Sequence, residues 1–490
     1  MKKIENQCML ITYPDALGKN LKEMEQVLTT YFPGVIGGLH VLPFYPSSGD
    51  RGFAVISYDQ VDPSFGTWED IDRLADKYYV MADFMPNHIS IRSREFQDYM
   101  QRGEKSPYKD MFIDWYRFWG GKPSEEDYRL LLKRSIKPYQ DFLRADGKTV
   151  RLWKTFFSEQ IDVDPFSAAT QEYYDRNLKR IASHVPLIRF DAFAYCSKRK
   201  GTSCFFVDPE IWQILEIGMK PLRAAGAEIL PEIHDHYSYQ MKMAEKGYWV
   251  YDFALPMLLL HSLETGRTDR LKRWLDLCPR KQFTTLDTHD GIGVVDVEGL
   301  MTDEEIDAVC AQVEFYRGEA KQFDKYPSAV VMNGKKQRYQ LSCTYYDACG
   351  SDDRAYLLAR AVQLFAPGIP QIYYVGMLAG SNDLEALRHG EERRSINRHR
   401  YTEEEIRTAC DRDVVRRLLD LMRFRNECPA FGAAAPGGDF RAEEGPAEGQ
   451  LTIIRCSRGV KAVLKADFRT KGFVITQENA DGEKQEVFRQ

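Results

Sequence analysis

The stretch HVPLIRFDAF, His184 to Phe193, is an apolar run that breaks off in charged residues, Arg189 and Asp191. Its pattern is that of a short buried strand ending at a polar loop. The same pattern recurs along the chain in VIGGLHVLPF ending at Phe44, YYVMADF (Tyr78 to Phe84), AEILPEIH (Ala227 to His234), FTTLDTHD (Phe283 to Asp290) and APGIPQIYYVG (Ala366 to Gly376). Between these runs lie charge-rich stretches of helical length, such as TQEYYDRNLKRIASH and DPEIWQILEIGMKPLRAAG, whose apolar residues return every three or four positions. Strands alternating with helices predict an α/β chain. No glycine-rich dinucleotide fingerprint follows any of the strands, so a (β/α)8 TIM barrel is expected ahead of an open sheet.

Two interruptions are too long for ordinary βα loops and predict insertions. After Pro429 the composition shifts to Gly, Ala and Glu, and then to strand-like alternation in LTIIRCS, KAVLKADF and GFVIT. The expected organisation is barrel over residues 1–85, an inserted domain over 86–165, barrel over 166–293, a second insertion over 294–350, barrel over 351–428 and a small C-terminal β domain over 429–490.

The 490 residues, 43% of them hydrophobic, suffice for a large core and more than one domain. A formal net charge of −6 gives no global attraction to nucleic acid or to an anionic membrane, so an anionic ligand has to be caught by a local basic cluster. The ten cysteines are scattered, with no CxxC pair and no metal-ligand spacing, which reads as reduced thiols. The N-terminal segment MKKIENQCMLITYPDAL carries only a short apolar run, and the sequence contains no stretch long and apolar enough for a membrane span. A cytoplasmic enzyme without metal or cofactor is expected.

In a barrel the active site gathers where strands end. DFMPNH offers Asp83, Asn87 and His88, IRFDAF offers Arg189 and Asp191, LPEIHDH offers Glu232 and His234, and LDTHD offers His289 and Asp290. Carboxylates converging from separate strands suit acid/base chemistry on an acetal. Asp191, with Arg189 two residues before it on the same strand face, fits a nucleophile that stays ionised. Glu232 has the reach to protonate a departing oxygen, and Asp290 beside His289 could stabilise oxocarbenium-like charge. Any one of these acids alone reads equally well as a cap or an ion-pair partner; their order and spacing carry the reading.

These segments resemble the four signature regions of the α-amylase superfamily, glycoside hydrolase family 13: DFMPNH the first, IRFDAF the second, PEIH the third and DTHD the fourth. The chain is also similar, over nearly its whole length, to the sucrose phosphorylase group. YDFALPMLLLHSLETG, TTLDTHDGIGVVDVEGL, YQLSCTYYDACG, PGIPQIYYVGMLAGSNDLE and SINRHRY carry that closer match. The resemblance implies a glucose ring held by Asp50, His88, Arg189, His289 and Arg398, with Phe53 and Phe156 as apolar walls, a covalent glucosyl-Asp191 intermediate, and transfer to inorganic phosphate. Phe53, Phe156 and Tyr195 read equally well as core, and Arg398 as a helix-end cation.

For phosphate to win over water at ~55 M, cations must line the mouth and solvent must be shut out. Lys133 and Arg134 in LLLKRSIKPY, and Lys335, Lys336 and Arg338 in NGKKQRYQ, are the candidates. By resemblance, the loop before the Tyr-Gln pair, here Tyr339-Gln340, is Leu-Asp-Leu in sucrose phosphorylases; this chain has Lys336-Gln337-Arg338. Exchanging an acid for a basic pair favours an anionic acceptor, which points to sucrose 6'-phosphate as donor, with sucrose or glucosylglycerate as alternatives. The competing reading of KKQR is a solvated loop. A sucrose hydrolase or transglucosidase and a non-catalytic barrel stand as rival functions. Partners are expected to be a sugar or sugar phosphate and inorganic phosphate, with a homodimer left open.

Overall fold

The protein is described from a computed structural model that covers the chain except residues 324–328, 333–334 and 433–437, with backbone only at 323, 329–332 and 335–337. Eight parallel strands are present: β1 Met9–Thr12, β2 Gly38–Val41, β3 Tyr79–Phe84, β4 Leu187–Phe190, β5 Glu228–Pro231, β6 Val250–Asp252, β7 Gln282–Thr284 and β8 Ile369–Tyr373. Their sheet order, β6-β7-β8-β1-β2-β3-β4-β5, is chain order wrapped once, which is the (β/α)8 barrel. Two of them, β1 (MLIT) and β6 (VYD), lie outside the six runs quoted above. Both are buried along their whole length, as strands covered on both faces are.

By density of contacts the chain forms two compact units. The first comprises Met1–Lys2, Val41–Ile233 and Ala329–Gln337 and contains β3, β4 and β5. Pairing sets Asp83 beside Arg189 and Phe190 beside Pro231, so the polar residues that follow emerge at one end of the sheet. The helix Trp68–Lys77 starts at a capping box of Thr67 and Asp70 and buries Ile71, Leu74 and Ala75. The helix Glu210–Ala225 ends at Gly226, whose φ of 69° closes it in the left-handed conformation. Its Gly218 lies against the Phe190 ring at the end of β4; a Cβ there would sit 2.5 Å from a ring carbon. Between β3 and β4, His88–Ser90 pairs antiparallel with Gln160–Asp162, and Tyr139–Leu143 with Thr149–Trp153. Trp115, Trp119 and Trp153 form a small aromatic core with Ile113, Leu131 and Cys204.

The second unit comprises Lys3–His40, His234–Ser328 and Arg338–Gln490. Here β8 pairs with β1 and β7, and β6 with β7. The C-terminal β domain is a five-stranded antiparallel sheet, β9 Asp439–Glu444, β10 Gln450–Ser457, β11 Val460–Asp467, β12 Gly472–Glu478 and β13 Lys484–Arg489. Arg455 on β10 fastens it to the helix Asp353–Phe365 by donating to the Phe365 and Ala366 carbonyls at 3.3 and 3.0 Å. Cation and ring alternate beneath the sheet: Arg280 lies 4.8 Å from the Phe440 ring, Arg455 5.7 Å from Phe440 and 5.5 Å from Phe431, and Arg425 4.2 Å from Phe431. All ten cysteines are free, and among the described residues no helix is long and apolar enough to cross a membrane.

The close approach at Gly218 generates a prediction. Gly218→Ala should cost about 1–3 kcal/mol through overpacking against a buried ring. The check is a urea titration, where the midpoint should fall while the slope stays constant.

Candidate active site

In the first unit the organising side chain is Arg189, 3% exposed. Strand pleat points it to the same side as Asp191, two residues on. Its Nη1 donates to Asp83 at 2.5 Å and to Asp191 at 3.0 Å, and its Nη2 lies 2.9 Å from Glu232 Oε1. Three carboxylates, ending β3, β4 and β5, therefore share one guanidinium. The other Glu232 oxygen accepts from the Ala192 amide at 2.8 Å. Ala192 reaches it by adopting φ 51°, a left-handed backbone unusual for a residue with a Cβ and common at functional turns.

One wall of the site is built on the loop after β2. Asp50 and Arg51 have φ of 50° and 47°, and Gly52 has φ 108°. A Cβ on Gly52 would stand 2.6 Å from the Pro43 carbonyl, so the turn requires glycine. Asp50 accepts from Gln160 at 3.2 Å, and Phe53 is buried with its ring 5.9 Å from the Arg189 guanidinium. The His88 Nε2 stands 3.1 Å from the Phe53 carbonyl. Its ring meets Phe156 edge-on at 5.5 Å, and Phe156 meets Tyr195 at 5.2 Å. Burial pushes the His88 imidazole below its usual pKa, against the pull of Asp162, so the neutral ring is favoured.

The second unit carries its own acidic centre. Asp290 Oδ1 lies 3.2 Å from Arg394 and 3.8 Å from Arg398, and Oδ2 lies 3.9 Å from His289. Burial alone would raise this carboxyl, but Arg394, His289, Arg398 and His234 outweigh it and hold Asp290 well below the usual carboxylate range. The segment Arg393–Asn397 is stapled to the loop after β7: Asn397 donates to the Thr288 and Asp290 carbonyls at 3.1 and 2.9 Å, and Arg398 Nε to the His289 carbonyl at 2.9 Å. Tyr13 backs this centre, edge-on to His289 at 6.2 Å. His234 stacks on Phe253 at 3.7 Å and lies 3.3 Å from Asp296, while Tyr339 donates to the His234 carbonyl at 2.9 Å.

The structure thus groups Asp50, Phe53, His88, Phe156, Arg189, Asp191 and Glu232 in one unit, and His234, His289, Asp290, Tyr339 and Arg398 in the other. The acceptor candidates are placed differently. Arg338 is half exposed and lies 3.5 Å from Asp307 on the helix Asp303–Tyr316, and Gln340 pairs through its backbone with Gly293. The Lys133 ammonium donates to the Tyr128 carbonyl and lies 4.2 Å from that ring. Arg134 is half-buried and follows Leu132, whose amide donates to the Ser203 carbonyl at 3.0 Å. The Lys336 side chain falls outside the described residues. Sequence reasoning passed over Arg394, four residues before Arg398, although two arginines one helical turn apart beside SIN were a visible signal.

The family described as "Alpha amylase, catalytic domain" matches residues 34–181. The chain is 48% identical over 468 residues to the sucrose phosphorylase of Streptococcus mutans, covering 95% of each chain. It is 42% identical over 495 residues to the sucrose 6(F)-phosphate phosphorylase of Thermoanaerobacterium thermosaccharolyticum, covering 98% of this chain and 99% of the other. The crystal structure of sucrose 6F-phosphate phosphorylase from Thermoanaerobacter thermosaccharolyticum superimposes with a TM-score of 0.93 at 40% identity, covering 99% of both chains.

The depressed Asp290 carboxyl predicts a pH effect. A folded-state pKa below the unfolded value near 3.8 adds stability at neutral pH that is lost as pH falls. Asp290→Asn removes this contribution, so from about pH 5 downward the variant should lose stability less steeply than the parent protein in denaturant titrations.

Proposed function

The chain belongs to the α-amylase family and, within it, to the glycoside phosphorylases around sucrose phosphorylase, and on that footing we propose that it passes an α-glucosyl group from a sucrose-type donor to inorganic phosphate. The observation that carries the chemistry is the Arg189 guanidinium shared by Asp83, Asp191 and Glu232. Asp191 attacks the anomeric carbon as the C1–O bond to the leaving sugar breaks, forming a glucosyl ester, and Glu232 gives its proton to the departing oxygen. Phosphate then displaces Asp191, Glu232 takes the phosphate proton back, and α-glucose 1-phosphate leaves with retained configuration. Asp290, kept anionic by Arg394 and Arg398, stabilises positive charge on the ring in both steps. His88, Arg189, His289 and Arg398 hold glucose hydroxyls with Asp50, and Phe53 and Phe156 shield its apolar face.

For the donor we favour sucrose 6'-phosphate, with fructose 6-phosphate released. The support is the basic Lys336-Gln337-Arg338 preceding Tyr339, together with Arg134, as partners for phosphate groups. His234 and Gln340 then face the acceptor sugar. Sucrose itself is a second reading, favoured by the 48% identical relative and by the pairing of Arg338 with Asp307. The free cysteines support a cytoplasmic place of work.

The deciding assay measures glucose 1-phosphate from sucrose 6'-phosphate and from sucrose in phosphate buffer. A larger kcat/KM for the phosphorylated donor is expected; release of free glucose alone would overturn the phosphorylase reading. Asp191→Asn should lower kcat by about 10⁴-fold or more, as loss of a nucleophile does. Arg134→Ala and Arg338→Ala should each weaken the phosphorylated donor by about 2 kcal/mol relative to sucrose. Equal effects on both donors would remove the acceptor assignment.

A further inference from the structure

Seven residues after Asp191, the sequence places a lysine that the chemistry above does not use. The Lys198 side chain is 4% exposed, and its ammonium meets three oxygens from three separate segments. Asn87 Oδ1 stands at 3.1 Å, Asp162 Oδ2 at 2.9 Å and the Tyr195 carbonyl at 2.7 Å. An ammonium has three N–H donors, so its hydrogen-bonding capacity is filled. The Trp153 ring, 5.4 Å away, lies beside the same charge.

Each of the three acceptors is tied to a wall of the glucose site. Asn87 precedes His88, and its amide lies 3.5 Å from His88 Nδ1. Asp162 pairs with His88 across the antiparallel strands, and it accepts from the Thr155 amide at 2.9 Å and from the Thr155 hydroxyl at 2.5 Å, which fixes the residue before Phe156. Tyr195 belongs to the turn after Asp191, and its ring touches Phe156. That turn also holds Ala192, whose amide binds Glu232. A buried ion pair of this kind gives little net stability and is strict about geometry, because removing one partner strands a charge.

We propose that Lys198 is a positioning residue, an internal ammonium that locks the His88 and Phe156 wall of the glucose site to the turn carrying the nucleophile. The inference rests on the glucosyl-transfer reading for its kinetic consequence and on geometry alone for its mechanical one. The ammonium touches no substrate; it acts by holding three segments in one register.

The test uses Lys198→Met, which keeps most of the side-chain volume, and the double variant K198M/D162N, which leaves no carboxylate unpaired and carries the test should the single variant fail to fold. Hydrogen exchange of backbone amides is read first. Faster exchange is expected together in residues 86–90 and 192–197, while the helix Asp413–Glu427 of the second unit is unchanged. Kinetics are read second, with sucrose and with α-glucosyl fluoride as donors. Because both place the same glucose ring against this wall, kcat/KM should fall by at least 10-fold for each, with the KM for phosphate changed less than 2-fold. Exchange confined to residues 192–197, or a double variant with parental kcat/KM on both donors, overturns the proposal. An inactive parent protein would sink the glucosyl-transfer reading instead, and the exchange result would still decide whether Lys198 couples the two segments.

Discussion

One guanidinium organises the first unit. Arg189 is nearly sealed from solvent, and the acids around it are 0% exposed at Asp83, 13% at Asp191 and 10% at Glu232. Buried carboxylates repel one another and are costly to desolvate, so three of them coexist only with a cation at their centre. The arrangement follows from register. Asp83 pairs with Arg189 across β3 and β4, and Arg189 pairs with Leu230 across β4 and β5, so the polar ends of the three strands are delivered to the same level. A slip of one residue would turn Arg189 and Asp191 to the opposite face.

The second unit solves a related problem with different parts. The cations of Asp290 are Arg394 and Arg398, and Asn397 and Arg398 tie their segment by hydrogen bonds to the backbone of the loop that carries the acid. The same economy recurs at Asp287, which meets the buried Arg360 at 2.6 Å while Tyr356 and Gln363 take the remaining guanidinium contacts. Desolvation lowers His88 and His261, and the Phe253 ring stacks on His234.

The sequence by itself determined the barrel class and most of its strands, because an apolar run ending in a charged residue has one economical explanation when it repeats between amphipathic helices. It also put forward Asp191, Glu232 and Asp290, since strand ends are where polar side chains can escape a core, and the signature segments tied them to glucosyl transfer. The strands VYD and MLIT were not picked out in the sequence, although they are no shorter than QFT or LIRF; their assignment comes from pairing with segments distant in the chain. Only the tertiary structure decided which cation serves which acid. Arg189 looked like a partner for Asp191 alone and proved to serve Asp83 and Glu232 as well; Arg394, unremarked in sequence, stands closer to Asp290 than Arg398 does. Lys198 was one lysine in a basic tripeptide until folding enclosed it among three oxygens. Periodicity is local and survives in one dimension, whereas electrostatic pairing depends on distances of a few ångströms between segments that the chain brings together only when folded.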